Sequence, residues 1–386
     1  MLGIVGRIPV AGVAWQALHY LEGLRRLGHE VYYVEDTKTW PYNPETGGND
    51  CAYSVSYIAG LMTWCALGDR WAFRDVSQQG RVYGLSEIQL SNLLEEADAI
   101  INLTGSTELR EPHLQVPIRI CLETDPGVPQ IEISQGKRSE IEFMNAHTHH
   151  FTFAENIGQQ GCLLPLVPYN YRPTRQPVIV EWWQACGHPK ENHESHLSEL
   201  ARFTTIATWK QSNDIVWNGE TYTWSKDRQF LQFLDLPVRS GQAFELALGG
   251  CDSKAITLLE SHGWKIADAL QLTKDIFPYR EFIAASRGEF TVTKDQYVRL
   301  RTGWFSDRSA CYLAAGRPVI TQDTGFGKFL PTGEGLFGFN TQKDILDALE
   351  AVNSDYERQS RAARAIAEEY FRAETVVGKL FSELGF

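Results

Sequence analysis

The chain has 386 residues, of which 43% are hydrophobic and 22% charged, enough for two ordinary domains with cores of their own and too apolar for disorder. Its formal charge of −12 gives no global field toward phosphate backbones or anionic membranes, so nucleic acid is disfavoured as a partner. Seven cysteines, none in a CxxC pair, support neither a disulfide framework nor a zinc ribbon; with no apolar run near the ~18 residues of a spanning helix and no signal-peptide pattern, a cytoplasmic protein is expected.

In chain order, MLGIVGR predicts a strand, IPVAG a loop, AWQALHYLEGLRRL a helix and HEVYYVED a second strand. Ala14, Ala17, Leu18, Leu21, Leu24 and Leu27 recur at three and four and give that helix one buried face, which Gly28 ends in a left-handed stop. The runs AIINLTG (99–105), IRICLET (118–124) and FTFAEN (151–156) read as parallel strands covered on both faces. Five prolines between Pro165 and Pro189, followed by ENHESH, mark an interdomain linker.

The second half opens with FTTIATW (203–209) and continues through AFELALG (243–249), SKAITLLESH with its stop at Gly263, WKIADAL, GEFTVTK (288–294), RPVITQ (317–322) and GLFGF (335–339). A long helical pattern from about Ser354 to Leu384 closes the chain. A helix ended by glycine and answered by a strand, once in each half, predicts two separately wound α/β domains. The fold class expected is therefore α/β, with two Rossmann-like doubly wound domains facing a cleft. Their bounds are 1–175 for the first, 176–194 for the linker, 195–365 for the second, and 366–386 for a terminal helix that packs back on the first.

Ligands of doubly wound sheets sit outside the carboxyl ends of the strands, so the loops after strands hold the candidates. After GEFTVTK, Lys294 is followed by Tyr297, Arg299, Arg301 and Gly303, and a helix starts at Ser306, an N-cap residue, with Asp307 and Arg308 in its first turn. Free amides, the positive end of the helix dipole and Lys294, Arg299, Arg301 and Arg308 together suit a diphosphate. The turn Asp323-Thr324-Gly325-Phe326-Gly327 after RPVITQ suits the hydroxyls of a sugar; its alternative is a tight turn and nothing more. Trp217, Tyr222 and Trp224 offer stacking faces, with plain packing as the alternative.

For an acceptor hydroxyl a base is wanted, and Glu123 and Asp125 in LETDPG follow a strand toward the cleft, with Asp125 the candidate; Glu155 and His19 are not distinguished, and Asp125-Pro126 also reads as a turn. His147, His149 and His150, and the group Cys186, His188, His193 and His196, have no metal-binding spacing, and no metal site is assigned.

The segment Ala315-Gly316-Arg317-Pro318-Val319, the closing Gly333–Phe339 strand with its helix, and Leu27-Gly28-His29-Glu30-Val31 resemble GT-B glycosyltransferases. The donor domain resembles the "glycosyl transferases group 1" type. The resemblance covers most of the chain as an architecture, and its specific motif likeness lies in about fifty residues of the second half. That resemblance implies a transferase that moves a sugar from a UDP-, GDP- or dTDP-sugar to an unidentified acceptor, with the donor as co-substrate, no cofactor and no metal. It adds Lys210, directly after a strand, and Gly12, after the first strand, to the donor-binding set. Cys311 stands where many retaining members carry a glutamate that grips the ribose; Asp307 is the acid that would replace it. A nucleotide-sugar epimerase, a sugar-nucleotide binding protein without activity and a transferase acting on modified DNA bases are the alternatives.

Overall fold

The computed structural model describes residues 1–43, 46–49, 51–184 and 202–384. The chain divides into two compact units, one of Met1–Ala154, Pro165–Pro177 and Ala373–Phe386, the other of Glu155–Leu164 and Val178–Arg372.

In the first unit β1 (Tyr33–Glu35), β2 (Trp71–Asp75) and the antiparallel β3 (Arg81–Gly84) lie to one side of Leu2. The strands β4 (Ala99–Leu103), β5 (Ile118–Glu123), β6 (His149–Thr152) and β7 (Tyr171–Pro173) lie to the other. Leu2 bridges Val34 and Asn102 and joins the two halves. Taken with Leu2 as the first position, the parallel elements run 3-2-1-4-5-6-7, the doubly wound order extended by β7 at its edge.

The strand expected over residues 1–7 shrinks to that bridge. Side chains of β1 take over the next amides. Tyr33 accepts from Val5 N at 2.9 Å, and the Glu35 carboxylate accepts from Gly6 N and Arg7 N at 2.7 Å each, which pulls the backbone out of the ladder. A Cβ on Gly3 would lie 2.6 Å from the Tyr33 ring, so glycine is needed where the chain passes it.

The helix Ala11–Arg26 starts earlier than its pattern predicts, because Val10 O already accepts from Val13 N and Ala14 N. Its buried face includes Glu22, which binds both Arg25 and Arg26. Gly23 lets the helix Ala373–Ser382 come close, since a Cβ there would meet the Ala373 Cβ at 3.0 Å. Arg26 then pairs with Glu374 at 2.8 Å.

The second unit is built on a six-stranded sheet, parallel throughout. Its strands are β8 (Arg202–Thr208), β11 (Ala243–Gly249), β12 (Lys265–Asp268), β13 (Gly288–Thr291), β14 (Val319–Gln322) and β15 (Leu336–Phe339), in the order β12-β11-β8-β13-β14-β15. This is again 3-2-1-4-5-6. Phe203, Phe244, Leu246, Trp264, Phe290 and Phe339 fill its core. A hairpin of β9 (Ile215–Trp217) and β10 (Glu220–Tyr222) interrupts the first crossover and turns on Asn218 and Gly219, both at positive φ.

The single long helix expected after Ser354 is three pieces: Tyr356–Ile366, a π turn at Ala367–Phe371, and Ala373–Ser382. The break has a tertiary cause, because Phe371 O accepts from Val178 N at 2.6 Å and Arg372 bridges Val178. Among the described residues no helix is long and apolar enough to cross a membrane.

Candidate functional site

The second sheet reverses direction between β8 and β13, and the crevice of a doubly wound domain opens beyond the carboxyl ends of such a pair. Lys210 follows β8 and Lys294 follows β13. Lys210 is exposed and only loosely paired, 3.6 Å from Asp252. Lys294 caps the helix Asp295–Arg299, with Nζ 3.4 Å from the centroid of Trp224 and 3.3 Å from the Tyr297 hydroxyl. Gln211 N donates to Ser225 Oγ, which donates to Trp209 O, so the backbone on both sides of Lys210 is tied to the chain beside Trp224.

The aromatics offered as stacking faces are committed to packing on at least one side. Arg299 lies over Tyr222 at 4.2 Å and donates to Thr221 O, which ties the β9–β10 hairpin to the helix Asp295–Arg299. Trp224 is covered by Lys294 and sits edge-on to Tyr297. Tyr297 is fully buried and stacks on Trp304 at 4.4 Å; its ring is a wall of the loop.

The helix Asp307–Ala314 begins at Ser306, which holds the N-cap position without a side-chain cap hydrogen bond. First-turn amides of a helix have no intrahelical acceptor and face whatever lies beyond its end. Asp307 lies in that turn. Arg308, expected at a diphosphate, is engaged within the unit. Its Nε meets the Glu289 carboxylate at 2.5 Å, Nη1 donates to Ile206 O at 2.6 Å and Nη2 to Thr291 Oγ1 at 3.0 Å. Glu289 is fully buried and Arg308 nearly so. Burial opposes the charge on Arg308, yet the Glu289 carboxylate holds the guanidinium above its ordinary range. Cys311 is buried on the same helix, its thiol pushed well up by burial and then by Asp307, so it offers no anionic grip for a ribose.

Beyond β14, Asp323 Oδ1 accepts from Gly325 N at 2.8 Å and Oδ2 lies 3.4 Å from Arg301. Thr324 turns its hydroxyl inward to Trp304 O at 2.6 Å, while its carbonyl accepts from Gly303 N. Thr324 therefore builds the site rather than presenting a hydroxyl to it. Gly325 has φ +94°, a left-handed turn position. Lys294, Tyr297, Trp304, Thr324 and Gly325 thus form one continuous set of contacts. Two residues that the sequence reading passed over bind nearby: Glu289, the lone acid of a strand buried on both faces, which holds Arg308, and Asn156, which binds the loops at Arg301 and Gly325.

In the first unit Gly12 falls in the first turn of Ala11–Arg26, half-buried, and not in a loop. Asp125 is exposed on the turn between β5 and the helix Val128–Ser134. Glu123 is buried and held by Gln130 Nε2 at 2.7 and 2.8 Å and by Thr152 Oγ1 at 2.6 Å. Burial pushes its carboxyl up to about 7, with a smaller contribution from Asp125. Glu35, under the loop that opens the chain, is likewise pushed up to about 7 by burial. His19 is buried on its helix and burial pulls it down to about 3. His147 and His150 are spent on Asn102, Phe143 O and Met144 O. Cys186, His188, His193 and His196 lie outside the described residues. Among the described residues no three His, Cys, Asp or Glu side chains converge as metal ligands.

No protein-family model matches the chain, and no curated protein sequence matches it. Solved structures match over nearly its whole length. An alpha-glucosyltransferase in complex with UDP-glucose and DNA containing an abasic site superposes with a TM-score of 0.58 at 10% identity, over 100% of this chain and 98% of the other. HepE of Anabaena, in complex with UDP and glucose, gives 0.53 at 11% over 100% and 98%. A glycosyltransferase involved in avilamycin A biosynthesis gives 0.52 at 11% over 96% and 88%. At these identities the likeness is one of fold: the chain has the GT-B fold of two Rossmann-like domains, the architecture of these glycosyltransferases.

Proposed function

We propose that the protein is a glycosyltransferase that takes a sugar from a UDP-sugar and delivers it to an acceptor hydroxyl, with the diphosphate held by the second unit without a metal ion. One observation carries this reading: the second sheet reverses its winding between β8 and β13, and the residues directly beyond those strands include Lys210 and Lys294. The names of the similar structures support it, since UDP or UDP-glucose appears in two of the three.

In this reading Lys210, Lys294 and the first amides of Asp307–Ala314, with Ser306 at its cap, take the diphosphate. Tyr297 and Thr324 shape the wall, and Asp323 and the Gly325 backbone meet sugar hydroxyls. Gly12 remains a proposed close-approach point of the first unit. The acceptor oxygen forms a bond to the anomeric carbon as the bond from that carbon to the diphosphate oxygen breaks. UDP leaves with the electron pair, and the acceptor proton passes to a base, for which Asp125 is proposed. Fixed positive groups offset the charge growing on UDP, the work a metal does elsewhere.

The test is release of UDP from UDP-glucose and other UDP-sugars, with and without EDTA. The reading expects release that survives chelation and a donor KM about tenfold higher in Lys210→Ala, the size of a lost charge-assisted contact. Release abolished by EDTA would overturn the metal-free mechanism, and no release or binding of any UDP-sugar would overturn the donor.

A further inference from the structure

Residues Glu155–Leu164 follow β6 of the first unit yet pack with the second. Asn156 lies there, fully buried. Its backbone N–H donates to Thr302 O at 3.0 Å, and its Nδ2 donates to Arg301 O at 3.0 Å and Gly325 O at 3.2 Å. One residue therefore ties the loop before the helix Asp307–Ala314 to the loop after β14.

Both loops give up a side chain to admit it. A Cβ on Gly303 would stand 2.8 Å from Asn156 N, and one on Gly325 would stand 2.4 Å from its Nδ2. Among the described residues Asn156 Oδ1 is also buried with no hydrogen-bond partner. An open buried acceptor is destabilising, so an apolar residue would serve better if filling space were the only task. The two donated bonds are what the amide adds.

One of the carbonyls so held belongs to Arg301, which has φ +49°, a left-handed conformation that disfavours a non-glycine residue. The guanidinium stands outward, 44% exposed, 3.4 Å from Asp323 Oδ2. An ion pair this exposed is weak and readily exchanged for a diphosphate. With Arg308 consumed by Glu289, Arg301 is the arginine of this segment that is turned to solvent beside the Asp323–Gly325 loop.

We infer that Asn156 is a positioning residue for the donor diphosphate: by clamping the carbonyls of Arg301 and Gly325 it fixes the left-handed turn that presents the Arg301 guanidinium. Asp323 holds that guanidinium until the donor replaces it. The inference rests on the UDP-sugar reading.

The test is a double-mutant cycle on the full chain with UDP as the probe in calorimetry, joined to amide hydrogen exchange. Asn156→Ala and Arg301→Ala should each weaken UDP about tenfold, and the double variant should bind no worse than Arg301→Ala, because Asn156 acts through Arg301. Exchange at the Gly303 amide, which donates to Thr324 O, should speed up in Asn156→Ala and stay unchanged in Arg301→Ala. Additive losses of affinity, or an Asn156→Ala protein that binds UDP like the parent, would overturn the inference. If the parent itself binds no UDP, the donor reading fails, while unchanged exchange at Gly303 would still remove the clamp. Should Asn156→Ala not fold, Asn156→Ser takes its place in the same cycle.

Discussion

Arg308 and Lys210 separate a charge buried in the fold from one left exposed in a loose pair. Arg308→Ala strands the buried Glu289 carboxylate and should lower unfolding free energy by about 3–5 kcal/mol, read by urea denaturation. Lys210→Ala touches an exposed, screened pair and should stay within about 0.5 kcal/mol of the parent. A second residue prediction concerns Glu123, whose carboxyl lies near 4.5 unfolded and about 7 folded. Between those values the folded state holds a proton that the unfolded state has released, so this group's contribution falls as pH rises from about 4.5 to about 7. Relative to the parent, Glu123→Gln should therefore gain stability across that window; thermal melts from pH 4.5 to 7.5 check it, and a constant difference would contradict it. The place of Lys210 just beyond β8 was legible in the sequence because it depends only on where a strand ends. Arg308 was not, because its partner lies on β13, and only the sheet order brings Glu289 beneath the helix.

At the scale of elements, local rules carried far and failed where a distant partner intervened. The helix stops at Gly28 and Gly263 take the left-handed turn that their sequence context predicts, at φ +90° and +89°. The strands β4, β5, β8 and β11 match their apolar runs to within two residues at either end. The hairpin of β9 and β10 reads in the sequence as a ligand loop, although Asn218-Gly219 is a hairpin signal. The break near Phe371 has no local signal, because Val178 causes it. Gly335 gives the prediction at this scale. With φ +69° and a would-be Cβ only 2.3 Å from Ala363 N, Gly335→Ala forces β15 and the helix Tyr356–Ile366 apart. We expect a loss of about 2 kcal/mol or more, measured by chemical denaturation.

For the whole molecule, two doubly wound units were legible from punctuation and apolar runs, since each half repeats the same sequence of helix stop and strand. The exchange of short segments was not: Glu155–Leu164 sits with the second unit because of where its neighbours fold, which no window of sequence contains. The net charge of −12 leads us to propose that the acceptor is not nucleic acid, even though one similar structure holds DNA. Gel-shift titration of duplex DNA at low salt should show no binding, and salt-sensitive binding would contradict the proposal.

The account's central claim is a nucleotide site at the winding reversal of the second sheet. Calorimetric titration of the protein with UDP, GDP and dTDP, repeated on Lys210→Ala, tests it most directly. The account predicts saturable binding of UDP that is lost or weakened about tenfold in the variant without loss of folding. UDP binding that is absent in the parent, or untouched by Lys210→Ala, would contradict it.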